Sequence, residues 1–312
     1  MATYTWQNYR CIYEQVPGKD SPALLLVHPI GVGLSKQFWS PFIEQWLRSP
    51  IVQNTLYSPD LLGCGESDMP NRAYRPQDWA EQLAYFIEQV VQTPVVLVVQ
   101  GALLPVAVSL MSDFEAAAQN VKGLILSGPP AWRLMTTPTD EWKQSLSWRL
   151  FDSPLGNAFY RYARREKFLK SFSERQLFEK PEDVSDAWLA MLHEGSREMA
   201  SRYAVFSFLA GFWRQDYADA IARIQQPVLV VMGDTASTID RKTAQVIAQT
   251  AAQTAEQSAG PIAEHPSQKR LQDYMDHFPH AQGVSIPGRN VLPYESTAEF
   301  VEAIAPFVKA LS

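Results

Sequence analysis

The chain of 312 residues is 46% hydrophobic and 19% charged, enough to bury a large core in one globular unit carrying an insertion. Its formal net charge of −6 offers no electrostatic footprint for a nucleic-acid partner. Two cysteines, Cys11 and Cys64, are too few for a disulfide framework, and MATYTWQNYR at the start lacks the basic and apolar regions of a secretion signal, so a cytoplasmic setting is expected.

In chain order, residues 11–16 (CIYEQV) read as an edge or second strand, and 23–29 (ALLLVHP) as a fully buried one. Residues 36–48 read as a helix with Phe38, Trp39, Phe42, Ile43 and Trp46 on one side. A strand over 51–60 leads into the loop LLGCGES (61–67), and 77–92 read as an amphipathic helix. Residues 94–111, PVVLVVQGALLPVAVSLM, approach the length that crosses a bilayer, with only Gln100 and Ser109 strongly polar. Gly101 and Pro105 divide that run into a buried central strand (94–99) and a buried helix (103–118), the reading that the surrounding alternation favours. A strand over 121–128 follows.

The alternation stops after Pro129-Pro130, and residues 131–222 read as helical. It resumes with a strand at 227–233, a helix from about Ile239, a short strand at 283–288 and a closing helix at 297–310. The Ala- and Gln-rich stretch 249–270 reads as a surface excursion that turns loop-like near Gly260-Pro261. The predicted architecture is α/β: a mostly parallel central sheet with helices on both faces. Residues 1–130 and 223–312 form its core, and 131–222 an inserted helical cap.

Four landmarks carry a resemblance over nearly the whole chain. His28-Pro29 follows a buried strand, DLLGCGES spans Asp60–Ser67, PVLVVMGD spans 227–234 and IPGRNVLPYE spans 286–295. In this order and spacing they resemble the α/β-hydrolase superfamily, with Pro29 where its oxyanion loop usually has glycine. The resemblance implies the α/β-hydrolase fold and a nucleophile on a sharp strand-to-helix turn, G-x-nucleophile-x-G. Laid on this chain, the pattern puts Gly101 at the nucleophile, Ala236 at the acid and Val291 at the histidine. None of these side chains can attack, orient or accept a proton, whereas Ser–His–acid catalysis needs all three roles together. The resemblance therefore implies a divergent member, a pseudoenzyme in which standard triad hydrolysis is not expected.

Substitutes are scarce. Of five histidines, His28 is best placed, although its counterpart in the family is usually structural; His193, His265, His277 and His280 read as surface or helix-end residues. Cys64 could act only if a base lowered its pKa, and a buried filler is the plainer role. Asp60 is expected to brace its own loop and Ser67 to cap the next turn. Asp234 and Asp240 flank the empty acid position, Asp240 fitting the first turn of the next helix. No metal-ligand spacing or dinucleotide fingerprint stands out, and no cofactor is expected.

The expected pocket is apolar with a few polar handles: His28, Ile30, Val32, Gln100, Ala102, Trp132 and Leu292. Leu34, Gly101 and Val291 join this lining. An apolar small molecule or a protein partner would suit that pocket and the aromatic cap, and core packing alone would account for most of the cap aromatics. Residues 159–180 are locally basic, with a solvated cap helix as the first reading and weak contact with an anionic membrane surface as the alternative. Three functions remain open: non-catalytic binding, an enzyme with a non-triad mechanism on a hydrophobic substrate, and an ester or epoxide hydrolase whose triad stands in another register or at a relocated site.

Overall fold

The computed structural model describes residues 1–49, 53–237 and 266–312. Among the described residues eight strands form one sheet: β1 (Ala2–Trp6), β2 (Tyr9–Val16), β3 (Asp20–Val27), β4 (Asn54–Pro59), β5 (Val95–Gln100), β6 (Val121–Ser127), β7 (Val228–Gly233) and β8 (Ala281–Ile286). Their spatial order is β1-β2-β4-β3-β5-β6-β7-β8. The pairs β1–β2 and β2–β4 are antiparallel, and the remaining pairs are parallel.

β5 runs Val-Val-Leu-Val-Val-Gln and is buried along its whole length, as a parallel strand covered on both faces must be. Alternation along the strands divides the core. Leu25, Val27, Leu97, Val99, Leu124 and Leu126 join one cluster, and Leu24, Leu26, Val96, Val98 and Ile125 the other. α2 (Pro76–Phe86), α3 (Leu104–Asp113) and the helix Pro266–His277 contribute to the first cluster. α1 (Ser40–Leu47) and the closing helix Thr297–Ala310 contribute to the second.

The run 94–111 is therefore β5 and α3, joined by a tight turn at Gly101–Leu103 with Pro105 in the first turn of the helix. Among the described residues no helix is long and apolar enough to cross a membrane. The single helix expected over 103–118 is two: Phe114 adopts φ −128°, ψ 75° and separates α3 from α4 (Glu115–Asn120). β1 and the helix Pro266–His277 are elements beyond those expected. The helix expected from Ile239, Asp240, His265 and most of the 249–270 stretch lie outside the described residues.

Between β6 and β7 the chain forms helices and turns with no strand, from Trp132 to Ala222. This segment touches the loops that follow β3 and β8. An added Cβ on Gly33, in the loop after β3, would come within 1.9 Å of the Leu192 carbonyl oxygen. Gly33 also has φ +78°, a region glycine enters without steric cost. In the loop after β8, Asn290 donates its backbone N–H to Leu177 O (3.1 Å) and its side-chain amide to Gln176 O (2.7 Å).

Candidate functional site

The strand order changes direction between β3 and β5: the chain leaves β3 for β4 on one side and returns to β5 on the other. In open α/β sheets this switch point creates a crevice beyond the strand carboxyl ends. The His28–Leu34 loop leaves β3 there, and Gly101 leaves β5. Gly101 has φ +60°, and a Cβ built on it meets no atom within 4 Å. The turn thus has the left-handed backbone of a sharp strand-to-helix elbow and open space in front of it. Ala236 lies three residues beyond the end of β7 and Val291 five beyond β8, at the same edge of the sheet. Both are buried.

His28 is fully buried and both ring nitrogens are engaged. Leu61 N–H donates to Nε2 at 3.1 Å, so Nδ1 carries the hydrogen and donates to Pro29 O at 2.9 Å. Burial pushes the imidazole below its usual range, which Asp60 partly offsets. His28 therefore ties the end of β3 to the end of β4.

The Asp60–Ser67 loop is organised around a buried carboxylate. Asp60 Oδ1 accepts Lys36 N–H (2.8 Å), and Oδ2 accepts Lys36 Nζ (2.9 Å) and Glu66 N–H (2.9 Å). Gly65 has φ +57°, and a Cβ there would fall 2.3 Å from the Asp60 carboxyl carbon, so both conformation and space demand glycine. Ser67 Oγ accepts Ile12 N–H and donates to Asp60 O, each at 2.9 Å, tying the loop to β2 in place of the expected turn cap. Lys36 Nζ also reaches Glu66 Oε2 at 2.5 Å. Burial alone would lower the Lys36 ammonium, but Asp60 and Glu66 outweigh it and hold it above its ordinary range. Cys64, buried in this loop, has its thiol pushed up by burial and by the Asp60 charge, which disfavours the nucleophilic thiolate.

The expected pocket residues divide into two groups. Val32, Ala102, Trp132 and Gly101 itself are half-buried, whereas Ile30, Gln100 and Leu292 are buried. Trp132 stacks on His277 (ring centroids 3.9 Å apart) and meets Tyr274 edge-on, so its indole packs against the helix Pro266–His277. Leu292 and Val291 belong to the core cluster around α1 and the closing helix. Gln100 Nε2 donates to Asn290 O at 2.6 Å, joining the end of β5 to the loop after β8. Gln100 Oε1 and Ser127 Oγ are buried without a hydrogen-bond partner in the protein, and the two residues stand opposite each other in the β5–β6 register. Asp234 Oδ1 accepts Gly288 N–H at 3.2 Å, closing the β7 loop onto the β8 loop. A groove of about 590 Å³ beside β1 and β2, lined in part by Thr3, Arg10, Glu66, Asp68 and Glu198, includes none of these pocket residues.

Lys36, Ser127 and Asn290 are absent from the sequence-based list. A buried Asp60 calls for a cation, which was the available signal for Lys36. Nothing local marks the other two. Among the described residues, no cluster of three or more His, Cys, Asp or Glu could hold a metal ion. What the described residues offer here is open space in front of Gly101 and two buried unpaired polar atoms, Gln100 Oε1 and Ser127 Oγ.

Residues 24–303 match the profile described as "Alpha/beta hydrolase family". Over 88 residues the chain is 35% identical to a haloalkane dehalogenase of Bradyrhizobium diazoefficiens, a match covering 28% of this chain and 26% of that protein. The fold is similar to a thermophilic esterase from Thermogutta terrifontis: TM-score 0.68, 16% identity, 97% of this chain and 94% of that one. It is also similar to the enol-lactonase from Burkholderia xenovorans LB400, with TM-score 0.68, 11% identity and coverage of 98% and 99%. The fold, the order of its landmarks and the matched profile agree: this chain belongs to the α/β hydrolase family.

Proposed function

We propose that this chain binds a small, largely apolar molecule at the switch-point crevice and does not hydrolyse it through a Ser–His–acid triad. The observation that carries this reading is Gly101, which keeps the left-handed elbow while presenting open space and no reactive atom. Ala102 next to it is half-buried and apolar, and Gln100 Oε1 and Ser127 Oγ, at the ends of β5 and β6, are buried polar atoms without a partner in the protein. The helical segment 131–222 acts as the cap over this crevice. Residues Ala236 and Val291 support the same reading, since neither supplies a carboxylate or an imidazole.

Hydrolysis from a relocated site is the second reading, and the comparisons support it over the first. The family is a hydrolase family, a curated relative over part of the chain is a haloalkane dehalogenase, and fold neighbours include an esterase and a lactonase. The deciding experiment combines a panel of ester, lactone, epoxide and haloalkane substrates with fluorophosphonate labelling and native mass spectrometry of the protein from its own cells. Binding without hydrolysis predicts a retained small molecule, no turnover and no phosphonate adduct. Turnover, or a stoichiometric adduct on a crevice residue, selects the second reading.

A further inference from the structure

Two consecutive helices in the segment between β6 and β7 turn apolar side chains outward. Helix Glu141–Phe151 exposes Trp142, Leu146 and Leu150, which recur every fourth residue and so form one stripe; Gln144 is its buried residue. Helix Pro154–Ala163 exposes Leu155, Phe159 and Tyr162, while Gly156, Tyr160 and Ala163 are buried. A Cβ on Gly156 would lie 1.8 Å from Phe151 O, so the second helix starts directly against the end of the first. Single exposed apolar residues are ordinary on a protein surface. Here six of the eleven exposed large hydrophobics among the described residues fall within 142–162, which marks an interaction face.

Charge identifies its occupant. Between residues 141 and 170 the sequence has seven Lys or Arg against three Asp or Glu, in a chain of formal net charge −6. Lys143, Arg149, Arg161, Arg165, Lys167 and Lys170 are exposed. Lys143 sits 5.4 Å from the centre of the Trp142 ring and the Arg165 guanidinium 5.7 Å from that of Tyr162, placing cations beside the outward aromatics. We propose that this face rests on an anionic lipid surface, its leucines and aromatics entering the headgroup boundary and its cations meeting lipid phosphates. A second copy of the chain is the weaker occupant, because a two-fold contact brings the same patch, with the same cations, against itself. The remainder of the chain is net negative and is repelled by the same lipid surface, which orients the protein with these helices down. The proposal stands whether or not the crevice binds a ligand.

The test is co-sedimentation of the full chain with vesicles of phosphatidylcholine alone, and with vesicles in which roughly a third of the lipid is phosphatidylglycerol. The expected result is binding to the anionic vesicles, weakened by high salt and by about fivefold for each cation removed in Arg161→Gln and Lys167→Gln. Leu146→Ser and Trp142→Ser, both at exposed positions, should weaken binding with the circular-dichroism spectrum unchanged. Equal affinity for the two vesicle types overturns the proposal, as does no binding to either. A concentration-dependent dimer lost in Trp142→Ser, without vesicle binding, overturns it in favour of self-association.

Discussion

The Lys36 ammonium lies 2.9 Å from Asp60 Oδ2, and both side chains are almost completely buried. The pair joins the loop after β3 to the loop after β4. Taking two charges out of water is costly, and removing one partner leaves the other uncompensated. Lys36→Met should therefore destabilise the fold by about 3–5 kcal/mol. Glu66 also contacts Lys36, but its side chain is 55% exposed, so Glu66→Gln should cost no more than about 1 kcal/mol. Urea unfolding of the two variants checks the contrast; equal midpoints would show that Asp60 does not depend on Lys36.

Burial holds the His28 imidazole below its ordinary pKa of 6.5, so the folded state resists a proton that the unfolded chain accepts. The stabilisation is complete above about pH 6.5 and falls as the pH drops toward the lower folded value. Thermal melts at about pH 7.5 and about pH 5.5 should show the loss. His28→Gln should flatten this dependence while lowering stability at both pH values, because the glutamine does not titrate and fits the Leu61 and Pro29 hydrogen bonds poorly. An unchanged slope in the variant would assign the acid sensitivity to other groups.

The parallel strands could be read from sequence because each is a short apolar run bounded by turn residues. β1 escaped notice: it is only Ala2–Trp6, and just Tyr4 and Trp6 alternate inward. The helix Pro266–His277 buries only Ser267, Arg270 and Tyr274, so it lacks an apolar stripe to announce it. The site follows the same division. Gly101 could be located because it ends a recognisable strand before a recognisable helix. Asn290 could not, since its partners Gln100, Gln176 and Leu177 lie more than a hundred residues away and no local pattern encodes those bonds. The position of His28 in the sequence gave no sign that Leu61 and Pro29 occupy both nitrogens.

Gly33 and Gly195 interlock where the helical segment meets the loop after β3. A Cβ on Gly33 would clash with Leu192 O, and one on Gly195 would fall 2.2 Å from Gly33 O. The obstacles are backbone atoms, which cannot rotate aside. Gly33→Ala also incurs the strain of φ +78°. The expected loss is about 2–4 kcal/mol, combining that strain with overpacking. Limited proteolysis should show earlier cleavage within 131–222 in Gly33→Ala than in the parent chain. Cleavage at the same rate would mean that this contact does not seat the segment.

Gly101 presents the opposite situation, an unusual backbone with room in front of it. Substitution incurs strain at φ +60° but meets no atom within 4 Å of the new Cβ. Gly101→Cys should lose only about 1–2 kcal/mol, and its thiol should react with iodoacetamide in the folded protein. Cys11 and Cys64 provide an internal comparison: both are buried, and burial pushes the Cys11 thiol up to about 11, so both should stay unmodified until the chain unfolds. Mass spectrometry after timed alkylation locates the adduct. On the proposed binding function, in which Val291 stands where a base would be, Gly101→Ser should fold equally well yet gain no esterase activity. A Gly101→Cys thiol as slow to react as Cys64 would close the crevice. An active Gly101→Ser enzyme would reveal a proton acceptor beside the elbow and move the reading toward hydrolysis.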